Sequence, residues 1–341
     1  MQRRTLLRSA FAGSLAVSVG AAAACSNGAK SSTKPLEKIT YLTAYGNYGR
    51  DAFIYVAMEK GYFAAAGFDV QVKVGSGTGL NIKQILAGTA TFTPVDTTGC
   101  LLAAGGKDKV TGFTAVAGIH QRTLASIISL KGNGITAPKD LEGKTLSDLP
   151  GSINRSLFPT YAKLADFDYK TVKWVDATPT TVLSNLTSGK FLGIGQFVVG
   201  KATIETMAKG RKAVVLPFSD YLADLYGNSL ITSTSYAQKN PEKVKKFTAA
   251  LLKGLNDSID NPTDAAKTLK KYVPATNLQA AAAEMVLMGP YVRSAAAGVP
   301  VGALLIQRVE RCIAILQGSG QIDPGLAPEQ VVSVSLVPMA A

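Results

Sequence analysis

Residues 39–95, ITYLTAYGNYGRDAFIYVAMEKGYFAAAGFDVQVKVGSGTGLNIKQILAGTATFTPV, alternate between two kinds of pattern. Ile39 to Leu42, Phe68 to Val74 and Phe92 to Val95 are short apolar or alternating runs, which predict strands. Ala52 to Ala65 and Gly79 to Gly88 lie between them with helical spacing. That order predicts an open, mainly parallel sheet covered by helices. The plan recurs downstream, with Lys144 to Leu146 and Val172 to Val175 as strands, Ile153 to Ala165 and Pro179 to Ser188 as helices, and a further apolar run from Phe191 to Val199. Two copies of one plan predict an α/β chain of two lobes, each a mainly parallel sheet flanked by helices. The last third predicts helices over 241–256, 263–272, 280–288 and 302–317, the first with Asn240 as cap and Pro241 in its first turn.

Upstream of this region the chain reads as an address. Arg3, Arg4 and Arg8 precede an uncharged run from Ser9 to Ala24, and Ala22-Ala23-Ala24 leads directly into Cys25. A charged head, a short apolar core and small residues before a cut site describe a secretory signal of twin-arginine type. The run is short for a bilayer span, which takes about 20 residues. Cys25 at the cut implies lipid attachment, with ordinary secretion and an incidental cysteine as the alternative. Residues 26–36, rich in Ser, Asn, Gly and Lys, read as a flexible tether.

Removing residues 1–24 leaves 317 residues, enough for two cores, and lowers the formal charge from +13 to +10. The excess is spread along the chain. Lys243 to Lys246 and Lys267 to Lys271 sit on helix-like segments with acidic or apolar neighbours, as solvated helix faces do, so no nucleic-acid partner is expected. Cys100 and Cys312 read as small core residues, although export permits a bridge.

In open α/β sheets ligands sit at the carboxyl ends of strands and near helix N-termini. Several loops fall there. Tyr45-Gly46-Asn47-Tyr48-Gly49-Arg50-Asp51 follows the first strand and offers aromatic faces beside a tight backbone. Gly75-Ser76-Gly77-Thr78-Gly79 lacks the spacing of a P-loop or a dinucleotide fingerprint, and reads as a small-ligand loop. Asp96-Thr97-Thr98, Pro150-Gly151-Ser152-Ile153-Asn154 at the start of a helix, Gln196-Phe197 toward the end of an apolar run, and Tyr226-Gly227-Asn228-Ser229 complete the candidates.

The chain has one histidine. A catalytic triad or a metal cluster normally takes histidine with suitable partners, and His120 instead follows an apolar strand-like run as a structural residue does. No Gly-x-Ser-x-Gly elbow and no His-Glu-x-x-His occurs. Neither an enzymatic activity nor a cofactor is expected.

These stretches together resemble the substrate-binding lipoproteins of ABC importers, in the subgroup of sulfonate and taurine binders and thiamine-pyrimidine-precursor (NMT1/THI5-like) binders. The resemblance runs over about residues 39–275. It rests on Val56 to Asp69, Gly75 to Gly79, Gln84 to Gly88, Leu141 to Thr145 with Pro150-Gly151-Ser152, Tyr226-Gly227-Asn228, and Asn240-Pro241-Glu242 through Leu255. Two family acids are absent: Ala90-Thr91-Phe92 and Gly189-Lys190-Phe191-Leu192-Gly193 stand where Ala-Asp-Phe and Gly-x-x-Asp-Ala are usual. The cysteine-rich stretch of pyrimidine-making enzymes of this fold is replaced by Gly193 to Phe197.

The resemblance implies a type 2 periplasmic-binding-protein-like fold, with a leader over 1–24, a tether over 25–36, lobe one over 37–123, lobe two over 124–231 and a return to lobe one over 232–341. Crossovers near 124–130 and 226–234 would form the hinge. The ligand would meet Tyr45, Asn47, Tyr48, Ser76, Thr78, Asp96 and Thr97 from lobe one, and Ser152, Gln196, Tyr226 and Asn228 from the opposite side. Closure around a sulfonate-like or pyrimidine-like molecule would be read by an ABC permease with its cytoplasmic ATPase, on the outer side of a bacterial membrane. An exported pyrimidine-synthesising enzyme and a ligand sensor for a membrane receptor are the other two readings.

Overall fold

A computed structural model describes residues 35–178 and 180–338. The leader over 1–24, Cys25, the tether up to residue 34, and Pro179 lie outside the described residues. In chain order the strands are β1 (Glu37–Leu42), β2 (Phe68–Lys73), β3 (Thr93–Asp96), β4 (Phe113–Gly118), β5 (Ala125–Leu130), β6 (Thr145–Asp148), β7 (Lys173–Asp176), β8 (Gly193–Phe197), β9 (Ala213–Pro217) and β10 (Asn228–Ser233). The helices are α1 (Ala52–Glu59), α2 (Tyr62–Ala65), α3 (Thr78–Leu86), α4 (Thr97–Gly105), α5 (Ile153–Leu164), α6 (Val182–Thr187), α7 (Lys201–Met207), α8 (Thr234–Lys239), α9 (Pro241–Asp260), α10 (Pro262–Tyr272), α11 (Leu278–Val292) and α12 (Ile306–Gly318).

The strands build two sheets. β1 and β2 run parallel, with Ile39 opposite Val70, and a parallel bridge between Tyr41 and Phe92 joins them to the set ordered β3-β10-β4. The second sheet is ordered β7-β6-β8-β5-β9. Each sheet keeps four strands in one direction and reverses one, β10 in the first and β5 in the second. The reversed strands are the two that the chain enters directly after crossing from the other sheet. Mainly parallel sheets therefore hold, with this single exception in each.

The crossings span 119–124 and 218–227, and they are hydrogen-bonded to each other. Thr123 N donates to Leu225 O at 2.8 Å, and Gly227 N donates to His120 O at 3.1 Å. Arg308 of α12 fastens both: its Nε donates to Asp224 O at 2.8 Å, one Nη donates to Ala223 O at 3.0 Å and to Gln121 O, and its guanidinium lies 4.1 Å from the Tyr226 ring centre.

Helices α1, α9 and α11 cover one face of the first sheet. Their shared core centres on Phe247, fully buried, which stacks on Phe92 at 4.1 Å and on Phe63 at 4.9 Å. A second core runs continuously from Leu42, Ile85 and Val95 of the first sheet to Ile127, Leu146 and Phe158 of the second. A smaller one, with Ile128, Leu186, Ile194 and Ile204, closes the far face of the second sheet.

Most predicted elements are present, with local departures. The helix expected over 52–65 breaks at Gly61, whose φ of 70° is left-handed and ends the first segment. Asn240 does not cap α9; its Nδ2 instead donates to Tyr236 O at 3.2 Å and closes the end of α8, while Pro241 does occupy the first turn. The helix expected from Gly302 begins at Ile306, because Gly302 bridges to Gly118 at the sheet. Cys100 and Cys312 are both buried and unbridged. Within the lysine runs, Lys243 pairs with Glu37 at 2.8 Å and Lys267 with Asp264 at 2.9 Å.

Phe247 makes the largest single test of this packing. Phe247→Ala should lower unfolding stability by about 3–5 kcal/mol, through lost burial and the cavity left among Phe63, Phe68 and Phe92, as read from urea denaturation midpoints.

Candidate functional site

A cleft of about 510 Å³ opens between the two sheets. The loop after β1 and the loop after β2 make one wall, stitched together by a bridge between Tyr45 and Ser76 and by Gly77 N donating to Ala44 O at 3.1 Å. Gly75 allows the approach, since a Cβ there would lie 1.7 Å from Thr43 O. Behind the wall sits Asn81, fully buried. Its Nδ2 donates to Thr43 O, Ala44 O and Thr93 Oγ1 at 2.9–3.1 Å, and its Oδ1 accepts from Ser76 N at 2.9 Å. Nothing in the local sequence around Asn81 marks it as the hub of two loops.

Asp96 ends β3 and caps α4, one carboxylate oxygen accepting from Thr98 N at 2.9 Å and Gly99 N at 3.3 Å. Burial pushes its carboxyl up to about 7 against those hydrogen bonds. Across the cleft Asp148 ends β6. It accepts from Ser152 Oγ, from Leu149 N at 2.7 Å and from Asn154 Nδ2 at 3.3 Å, and burial raises it to about 6. Ser152 also caps α5, accepting from Arg155 N at 3.2 Å.

Arg50 stands at the back of the cleft. It is 5% exposed, and its guanidinium carbon lies 4.4 Å from the Tyr48 ring centre and 5.4 Å from that of Phe197. The backbone here is held by α11: Arg50 N donates to Glu284 Oε2 at 3.3 Å, and Gly49 packs where a Cβ would lie 2.5 Å from Ala281 O. Glu284 also accepts from Thr203 Oγ1 of α7 at 2.7 Å, which joins α11 to the second sheet's helices.

Of the residues singled out in the sequence, Tyr45, Tyr48, Ser76, Thr78, Asp96, Ser152, Gln196 and Asn228 line this cleft. Three others do not. Asn47 turns away and accepts from Tyr55 Oη at 3.0 Å. Thr97 points inward, bonded to Gly227 O at 2.5 Å and Ser229 Oγ at 2.6 Å, because it is the first residue of a helix that packs on β10. Tyr226 is fully buried under Arg308, with its hydroxyl accepting from Leu305 N at 3.0 Å. It belongs to the crossing and the core. Arg50, Asn154 and Phe197, which lie within the candidate loops without being named as contacts, also line the cleft, and so does Asp148, which lies outside them. For Asp148 a signal existed: it directly precedes the Leu149-Pro150-Gly151-Ser152 turn at a strand end.

His120 is 2% exposed and does not line the cleft. Its Nδ1 accepts from Asn228 N at 3.2 Å, so the proton is on Nε2, and burial with the nearby Arg50 charge lowers it to about 3. It is a neutral structural residue. Among the described residues no group of three His, Cys, Asp or Glu side chains is placed to hold a metal, and no helix is long and apolar enough to cross a membrane.

Two sheets, two crossings and a cleft at the strand ends define a periplasmic-binding-protein-like fold. The alkanesulfonate-binding protein SsuA from Xanthomonas axonopodis pv. citri, solved with MOPS, superposes with a TM-score of 0.69; the sequences are 11% identical, and the match covers 88% of this chain and 99% of that one. Residues 50–265 match the family model described as NMT1/THI5 like, and the chain belongs to that family. Among curated relatives, the riboflavin-binding protein RibY of Chloroflexus aurantiacus is 25% identical over 71% of this chain and 68% of its own length. A formylaminopyrimidine-binding protein of Halalkalibacterium halodurans is 24% identical over 72% of this chain and 74% of its own length.

The raised Asp96 carboxyl has a consequence for stability. The folded protein keeps this proton up to about pH 7, whereas the unfolded chain releases it near the ordinary 3.8. Its stabilising contribution is therefore complete below that ordinary value and is lost as pH rises toward 7. Asp96→Asn keeps an acceptor for the α4 cap. In calorimetric scans the variant should gain on the parent between these pH values, by at most ~1.4 kcal/mol per pH unit, and the difference should level off above the upper one.

Proposed function

We propose that this chain is an extracytoplasmic solute-binding lipoprotein, anchored through Cys25, that captures a small organic molecule between its lobes and delivers it to an ABC permease. The cleft carries the reading: side chains from both sheets face one cavity, and the chain passes between the sheets only at a narrow pair of crossings. In this reading lobe one comprises 37–123 and the return 232–341, lobe two comprises 124–231 except that β10 puts 228–231 in the first sheet, and rotation about the crossings closes the cleft on the ligand. Relatives named for riboflavin and formylaminopyrimidine support a planar ring among the ligand's features. Tyr48, half-buried in the cleft wall, supports the same feature. Tyr45, Tyr48, Ser76, Thr78, Asp96, Ser152, Gln196 and Asn228 are the proposed contacts.

Native mass spectrometry of protein purified from its source should reveal a retained small molecule. Tyr48→Ala should weaken its binding by ~1–3 kcal/mol, roughly 5- to 150-fold, and Asn228→Ala and Ser152→Ala by about 1 kcal/mol each. Unchanged affinity in Tyr48→Ala and Asn228→Ala would place the ligand elsewhere. For the anchor, Cys25→Ala should release the protein to the medium or leave its precursor uncut. Persistent labelling of that variant by radioactive fatty acid would rule out Cys25 as the attachment site.

A further inference from the structure

Arg50 is the one buried cation in the cleft wall, and its guanidinium has no direct carboxylate partner among the described residues. Buried charges are normally paired. Yet no carboxylate oxygen lies within 4.0 Å of this guanidinium among the described residues. Its Nε is buried with no acceptor, and its side chain makes a single long hydrogen bond, from Nη2 to Tyr45 O at 3.4 Å. A guanidinium carries five N–H donors, so most of this one's capacity is unused. The Tyr45 hydroxyl is likewise buried without an acceptor. Both residues line the cavity, so two unsatisfied donors share one wall.

The neighbouring carboxyls are engaged elsewhere. Asp51 accepts from Tyr48 N at 3.1 Å, and Glu284 accepts from Thr203 Oγ1 and Arg50 N. Burial raises both carboxyls, and the Arg50 charge opposes that rise without forming a direct pair with either. The other cation of the lining, Lys83, is exposed, while Asp96 and Asp148 both face the same cavity. A single buried positive charge suits a single negative charge better than a dianion such as phosphate.

We propose that the Arg50 guanidinium and the Tyr45 hydroxyl form a seat for one monoanionic oxyacid group, a carboxylate or a sulfonate, on an aromatic ligand whose ring packs by Tyr48 and Phe197. This rests on the cleft being the solute site. It makes Arg50 the residue that separates acids from neutral rings of the same shape.

The probes are benzoate with its neutral counterpart benzamide, and benzenesulfonate with benzenesulfonamide, titrated calorimetrically at matched ionic strength. At least one acid should bind the parent about 10- to 150-fold more tightly than its amide, the range for a charge-assisted hydrogen bond. Which acid wins distinguishes carboxylate from sulfonate. Arg50→Gln should abolish that preference, read as the ratio of acid to amide affinity in the same variant, and Arg50→Lys should restore part of it. Equal binding of acid and amide by the parent, binding of neither acid, or a preference that survives in Arg50→Gln would overturn the seat. If Arg50→Gln fails to fold, the acid-against-amide comparison on the parent decides alone. A neutral molecule retained from the source would also overturn the seat and leave the solute-binding role standing. Acid-selective binding in a protein that retains and delivers no solute would instead overturn the role and leave the seat.

Discussion

The guanidinium of Arg308 ties together the two places where the chain passes between sheets. It donates to backbone carbonyls of both crossings and lies over the Tyr226 ring between them. Carbonyls at such crossings belong to neither sheet's ladder, and a buried one without a donor is costly. A single planar fork meets three of them at once. The crossings then stay side by side, and the strands that follow, β5 and β10, are set into their sheets in the reversed direction. Both sheets consequently point strand ends toward one shared space.

That geometry explains which residues reach the cleft. Tyr45, Ser76, Asp96, Asp148 and Gln196 stand at or just beyond the carboxyl ends of forward strands, or within them near that end. Asn228 reaches the same cavity as the first residue of its strand, because β10 runs backward. The acids at these ends are held by helix caps and turn hydroxyls, which compensate part of their desolvation.

Local order was legible in the sequence because it depends on short-range periodicity. The strands at Ile39–Leu42 and Phe68–Val74 and the helices over 79–88 and 153–165 follow from the spacing of their apolar residues. What a side chain does at the end of a strand depends on partners far away in the chain. Asn47 and Thr97 have the chemistry of ligand contacts but are claimed by Tyr55 and by Gly227 with Ser229. Tyr226 sits beside Asn228 in one motif, yet Arg308, more than 80 residues later, draws it into the core. Arg50 lies in the loop read as ligand-facing, and its own part in the site is illegible there for the same reason. Its burial depends on the rings of Tyr48 and Phe197 and on the close approach of Gly49 to the backbone of Ala281, which come together only in the fold.

The hold of α11 on Gly49 and Arg50 bears on how such a protein changes its preferences. Every side chain of the cleft wall lies between Ala44 and Asn228. The helix that sets the depth of Arg50 begins fifty residues later, at Leu278, and touches none of the cavity. Substitutions at Ala281 or Glu284 would shift the guanidinium without altering the wall. Selection for a new solute would therefore leave part of its record in a helix remote from the solute, and a graft of the wall residues alone into a related scaffold would carry over the shape of the cavity without the placement of its charge.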